Sequence, residues 1–157
     1  MTTRTGYSRT QITLHWLTAI AVLVAWFTHE GMEDVAEAAW RANEGPFPTV
    51  HTVAGALAMI LIITRIILRR RRGAPEPQGS EMAKLAATWG HRLIYALVLI
   101  VPLLGAATWF GGFRDLSDIH EIAAKSLMLA ALGHAAMAIW HQFGKKDGAL
   151  MRMLRPE

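Results

Sequence analysis

Four uninterrupted apolar stretches constrain this chain more than any other feature of its sequence. They are Ile12 to Thr28 (ITLHWLTAIAVLVAWFT), Val50 to Leu68 (VHTVAGALAMILIITRIIL), Trp89 to Phe110 (WGHRLIYALVLIVPLLGAATWF) and Ile119 to Phe143. Each is about as long as the roughly 20 residues that cross a bilayer core at about 1.5 Å per residue. Lipid offers no partner to backbone N–H and C=O groups, so each stretch has to satisfy its own as a helix. The sequence predicts an all-α, integral membrane four-helix bundle, one domain over residues 1–157, with helices at about 12–28, 50–68, 89–110 and 119–143. A hydrophobic content of 53% and a mean hydropathy of +0.28 fit a protein whose core is surrounded by lipid. The first stretch is not read as a secretory signal: it is long, lacks an A-x-A-like cleavage site and carries a histidine near its start.

Charge is segregated by loop. Arg4 and Arg9 precede the first helix, Arg69 to Arg72 and Lys84 lie between the second and third, and Lys145, Lys146, Arg152 and Arg155 follow the fourth. The opposite side has Arg41 and Arg114 among the acids Glu30, Glu33, Asp34, Glu37, Glu44, Asp115 and Asp118. The positive-inside rule then puts both termini in the cytoplasm. A net charge of +4 distributed in this way is a topology signal, and no nucleic-acid partner is expected. The linker RRRRGAPEPQGSEMAK is polar and punctuated by Pro and Gly, while GGFRDLSD is a tight outer loop in which Ser117 or Asp118 can cap the fourth helix. The segment GMEDVAEAAWRANEGPFP is expected to hold a short interfacial helix with Val35, Ala39 and Trp40 toward lipid. Trp16, Trp89 and Trp140 at inner helix ends, with Trp26 and Trp109 at outer ends, suit an aromatic belt.

The absence of cysteine excludes disulfides, thiolate metal sites and covalent c-type haem, leaving the seven histidines as the obvious ligands. Ionisable groups inside a membrane are costly and face the bundle. On the fourth helix His120 and His134 are fourteen residues apart. That is about 21 Å along the axis and within about 40° of the same face. They cannot share one metal ion, but they suit two centres stacked along the helix. Depth counting puts His15 at the level of His134 and His51 at the level of His120. Neutral imidazoles at two axial positions hold a low-spin haem b, and two such haems would carry electrons across the membrane. His29, also fourteen residues from His15, is a rival to His51. It sits at a fraying helix end beside Glu30 and Gly31, whereas His51 follows PFPT, a helix-start signal, and His51 is preferred. His91 and His141 lie nearer the cytoplasmic surface, where an interfacial role and a quinone-binding role compete.

These segments carry a resemblance. SRTQITLHW, HTVAGALAMILIITRIILR, GHRLIYALVLIVPLLG and HEIAAKSLMLAALGHAAMAIWHQF, one at each helix, are similar to the bacterial cytochrome b561 family over nearly the whole chain. The nearest in character are its small quinone-linked members, which include a superoxide oxidase. The resemblance implies a four-helix membrane bundle with two b haems held by His15, His51, His120 and His134, and electron exchange with ubiquinone near His91 and His141. Arg9, Arg65 and Arg92, toward the inner helix ends, are candidates for a haem propionate or a quinone carbonyl, Arg9 being assigned to quinone. Arg114 and Lys125, flanking His120, are candidates for a propionate or donor site.

The expected function is electron transfer across the bacterial inner membrane between an outer-face donor and ubiquinone, of superoxide oxidase type if the chain is an enzyme. The acidic outer face departs from the positive field that gathers a small anion such as superoxide. Two alternatives remain: a cytochrome b anchor subunit for a periplasmic redox enzyme, and a non-redox transporter that uses its histidines.

Overall fold

A computed structural model of the chain describes residues 6–76 and 79–156; Arg4, Pro77 and Gln78 lie outside them. The described residues form helices and turns with no strand. The elements are α1 (Arg9–Phe27), α2 (Glu30–Ala42), α3 (Val50–Arg72), α4 (Glu81–Trp109) and α5 (Ser117–Trp140). A 3-10 turn (Arg114–Leu116) leads into α5; a π-helical turn (His141–Lys145) and a second 3-10 turn (Met151–Met153) follow it. Four segments are long and apolar enough to cross a membrane: α1, α3, α4, and α5 together with its flanking turns. The chain is an all-α membrane bundle.

The helix ends differ from the hydropathy limits because caps and charges extend helices beyond the apolar slab. Ser8 begins α1 with a capping box: its hydroxyl accepts the Gln11 N–H, and the Gln11 side chain accepts the Ser8 N–H. Thr49 and Thr52 make the same reciprocal pair at the start of α3. At its far end α3 continues through Arg69–Arg72, good helix formers that suit a C-terminal dipole, and stops at Gly73, whose φ of 76° opposes continuation. Ser80 caps α4 nine residues ahead of the apolar stretch, and the 29 residues that follow reach about 44 Å, beyond the roughly 30 Å hydrocarbon core.

Around the bundle α1 packs on α3, α3 on α4 and α4 on α5, while α1 and α5 approach little through their backbones. The shared core is small: Ala21, Ala58, Ile62, Val98 and Leu127. Alanines at the α1–α3 contact allow close approach, the usual device for packing helices in lipid. Outside the core the surface is apolar, with Phe27 78%, Leu129 74% and Ile122 65% exposed. An apolar exterior of this extent would aggregate in water and is ordinary in a bilayer.

One end of the bundle carries α2 and the α4–α5 connection; the other carries the chain termini and the α3–α4 linker. Two local expectations are corrected here. The apolar face of α2 turns onto the bundle rather than toward lipid: Ala36 and Ala39 are buried with Trp109, and Trp40 lies 6.2 Å from the Trp109 ring. Trp109 donates its Nε1–H to Phe47 O at 2.9 Å, and the Arg114 guanidinium sits 4.5 Å above Trp40. Neither Ser117 nor Asp118 caps α5 through its side chain, because the 3-10 turn runs directly into the helix and Leu116 takes the cap position.

Candidate functional site

The first turn of α3 and the first turns of α5 bring His51 and His120 together at the α2 end, ring centres 6.1 Å apart and planes at 86°. His51 Nδ1 is 2.9 Å from Ala25 O, and His120 Nδ1 is 2.9 Å from Val101 O. A carbonyl can only accept, so each Nδ1 carries the proton and each Nε2 is left with its lone pair. Local structure frees the first acceptor. Ala25 is in the last turn of α1, where carbonyls lose their helical partners, and the His29 N–H goes to Trp26 O instead. Val101 lies inside α4, one turn before Gly105, and its carbonyl accepts the His120 Nδ1–H across the contact between α4 and α5. Gly105, on the same helix, has no side chain to obstruct the His120 ring.

The termini end holds a second pair, His15 of α1 and His134 of α5, with ring centres 6.3 Å apart and planes at 66°. His134 has another neighbour: the His91 ring of α4, centred 5.0 Å away, with Nδ1–H donated to Ala87 O of its own helix. Arg65 donates from its guanidinium to His15 Nδ1 at 2.9 Å and lies 5.8 Å from the centre of the Tyr95 ring. An open cleft beside this cluster is lined by His15, Arg65, Arg69, His91, Tyr95 and Met153.

These spacings can be tested against a haem. An imidazole nitrogen about 2 Å from a metal puts the ring centre about 3 Å away, so two coaxial ligands have centres about 6 Å apart. Both cross-helix pairs meet that separation; His91 and His134 are about 1 Å too close for an iron between them. The donor chemistry also suits the group, since an imidazole anchored by Nδ1–H to a carbonyl is the usual support for a metal-binding Nε2. His51 and His120 already have this form. His15 differs: its Nδ1 accepts from Arg65, so Nε2 coordination requires the ring proton on Nδ1 and Arg65 turned to another acceptor, such as a carboxylate. Among the described residues no three ligating side chains converge as a chelating metal site.

His29 starts α2, stacked on Trp26 at 5.2 Å with its Nδ1–H on Trp26 O, and does not face a second histidine ring. Arg9 is exposed at the start of α1. Arg92 lies over the Trp89 ring at 4.9 Å. Lys125 pairs with Glu121, and Arg114 is engaged by Trp40. His141 is not in the cleft with His91; it donates Nδ1–H to the Asp147 carboxylate. Burial pushes the Asp147 carboxyl up, but the His141 hydrogen bond, the Ala149 N–H and the charges of His141 and Arg152 together hold it below its ordinary range. Asp147, Gly105 and the Ala25 and Val101 carbonyls escaped sequence reasoning. Asp147 gave a signal, an acid six residues after His141 beyond the apolar stretch; backbone acceptors give none.

A family model described as prokaryotic cytochrome b561 matches residues 6–156. Cytochrome b562 of Cereibacter sphaeroides is 40% identical, with 99% of each chain aligned. A probable superoxide oxidase, CybB, of Yersinia pestis is 30% identical over 94% of this chain and 95% of that protein. Cytochrome b561 homolog 1 of Escherichia coli K12 is 28% identical over 94% and 96%. No solved structure matches the chain.

Proposed function

The chain belongs to the prokaryotic cytochrome b561 family, membrane electron-transfer proteins of the b-haem class, and from that premise we propose that it joins a one-electron donor at the α2 end to ubiquinone at the termini end. The observation that carries the reading is the recurrence of one spacing, 6.1 Å and 6.3 Å, at two depths of one bundle. When bound, two b haems supply reversible one-electron chemistry at both depths and so connect the two faces. His51 and His120 hold one through Nε2, oriented by the carbonyls of Ala25 and Val101; His15 and His134 hold the other. Arg65 and Arg69 would meet anionic propionates at the termini end, which would free His15 Nδ1 to carry its proton. Arg92 is a secondary candidate at that end, and Arg114 and Lys125 at the α2 end.

The distribution of Lys and Arg supports a cytoplasmic termini end, and a helical multi-pass bundle in a prokaryotic family supports the inner membrane. His91, beside the inner pair and anchored through Nδ1–H to Ala87 O, donates from Nε2 to a quinone carbonyl when its ring is doubly protonated, and passes it that proton; His141 and Arg9 serve the approach from the cytoplasmic surface. The donor end is a poor collector of anions. Glu30, Glu33, Asp34 and Glu37 are exposed on α2, while Lys125 and Arg114 are already engaged. That exposed acidic face also favours a second reading, a docking surface for a periplasmic redox enzyme, which co-purification tests. Haem content of the detergent-purified protein, measured as the pyridine haemochrome against protein concentration, tests the main reading. Two non-covalent b haems per chain are expected, and none would leave the transporter alternative.

A further inference from the structure

Beyond α5 the chain turns back on itself. After the π-helical turn, Lys146 takes the left-handed conformation with φ 56°, and the Asp147 N–H returns to His141 O at 3.2 Å. The Asp147 carboxylate then accepts twice, from His141 Nδ1–H and from the Ala149 N–H. Gly148, with φ 72°, passes the chain into the 3-10 turn Met151–Met153. The far end is tied to a different helix: Trp16 of α1 donates Nε1–H to Met153 O at 2.9 Å. Trp16 adjoins His15, their rings 5.3 Å apart, and Met153 lines the cleft shared by His15, Arg65 and His91. Residues 147–154 therefore bridge α5 to α1, the two helices that scarcely touch yet contribute the inner histidine pair.

We infer that this C-terminal strap closes the termini end of the redox centre, and that Asp147 is the positioning residue that folds it into place. The inference rests on the proposed quinone reaction beside His91. A carboxylate taking one side-chain and one backbone N–H fixes the direction in which the chain leaves α5. The Trp16 hydrogen bond fixes where it arrives. Between those two points the strap carries Met153 against the cleft, where an apolar side chain excludes water and narrows the opening to a flat ligand. Asp147 touches neither ligand nor haem-binding ring; it acts through the strap.

The test compares haem-loaded wild type, Asp147→Ala, Asp147→Asn and Trp16→Phe in detergent, with two readouts. One is the rate of tryptic cleavage after Arg152, read by mass spectrometry. The other is KM and kcat for a short-chain ubiquinone. Asp147→Ala and Trp16→Phe should each raise the cleavage rate and KM by about tenfold, the upper scale of one lost hydrogen bond, with kcat and haem content held. Asp147→Asn keeps an acceptor oxygen and should restore most of both. Wild-type cleavage in Asp147→Ala and Trp16→Phe would overturn the strap, and faster cleavage with unchanged KM would overturn its role as a closure. If wild type does not react with quinone at all, the proposed function fails, while cleavage in the variants still decides the strap.

Discussion

A β-carbon on Gly105 would lie 2.9 Å from Cε1 of His120 and 3.3 Å from its Nδ1. The ring cannot yield, because Nδ1–H is committed to Val101 O one turn away on the same helix. Gly105→Ala should displace the His120 ring and halve the haem content while leaving the inner pair intact. Pyridine haemochrome stoichiometry, with the low-temperature α-band of each haem, checks this; two haems in the variant would mean that His120 is not an axial ligand in this orientation.

The axial assignment makes a wider prediction. His51→Ala or His120→Ala should abolish one haem, and His15→Ala or His134→Ala the other, since each iron loses a ligand. His29→Ala should retain both, because that ring is occupied by Trp26. Loss of a haem in His29→Ala with both retained in His51→Ala would reverse the choice between the two histidines.

Which rings face each other was legible in the sequence because hydropathy over about 20 residues and about 100° of rotation per residue are local rules. Counting inward from each helix end is enough to put His15 level with His134 and His51 level with His120. The docking of α2 was not legible. Its apolar face, Ala36, Ala39 and Trp40, reads equally as lipid-facing or bundle-facing until the position of Trp109 is known. The same holds for the acceptors of His51 and His120. Any carbonyl on a neighbouring helix could serve; the ending of α1 at Phe27 leaves Ala25 O without its helical donor, and nothing in the sequence of α4 singles out Val101. His141 and Asp147 depend on a reversal of the chain that helical periodicity does not describe.

Arg65 offers an electrostatic prediction. Its guanidinium lies against His15, and a positive charge near a haem favours the reduced form, which holds the additional electron. Arg65→Gln should lower the midpoint potential of the inner haem by about 60 mV, a tenfold change in its equilibrium for one electron. The outer haem should keep its potential. Spectroelectrochemical titration resolves the two; equal shifts in both, or a shift of the outer haem alone, would place the Arg65 charge elsewhere than at the inner centre.

The last prediction concerns His91, whose position admits two roles. Its ring is centred 5.0 Å from that of His134, too near for a shared iron, yet it lines the cleft and keeps Nδ1–H on Ala87 O. As an axial ligand it would have to displace His15, and His91→Ala would then delete the inner haem. As a partner of quinone it leaves both haems in place and, protonated on Nε2 as well as Nδ1, supplies a hydrogen bond and a proton where the carbonyl oxygen is reduced. His91→Ala should therefore preserve both haem spectra and slow reoxidation of the prereduced protein by a soluble ubiquinone analogue by about tenfold or more, the low end of what a positioned proton donor contributes. His91→Gln, which can still donate a hydrogen bond but cannot carry a proton, should recover quinone affinity without recovering rate. Stopped-flow reoxidation read together with haem content separates the cases: wild-type rates in His91→Ala would move the quinone away from this cleft, and a missing inner haem would make His91 its ligand.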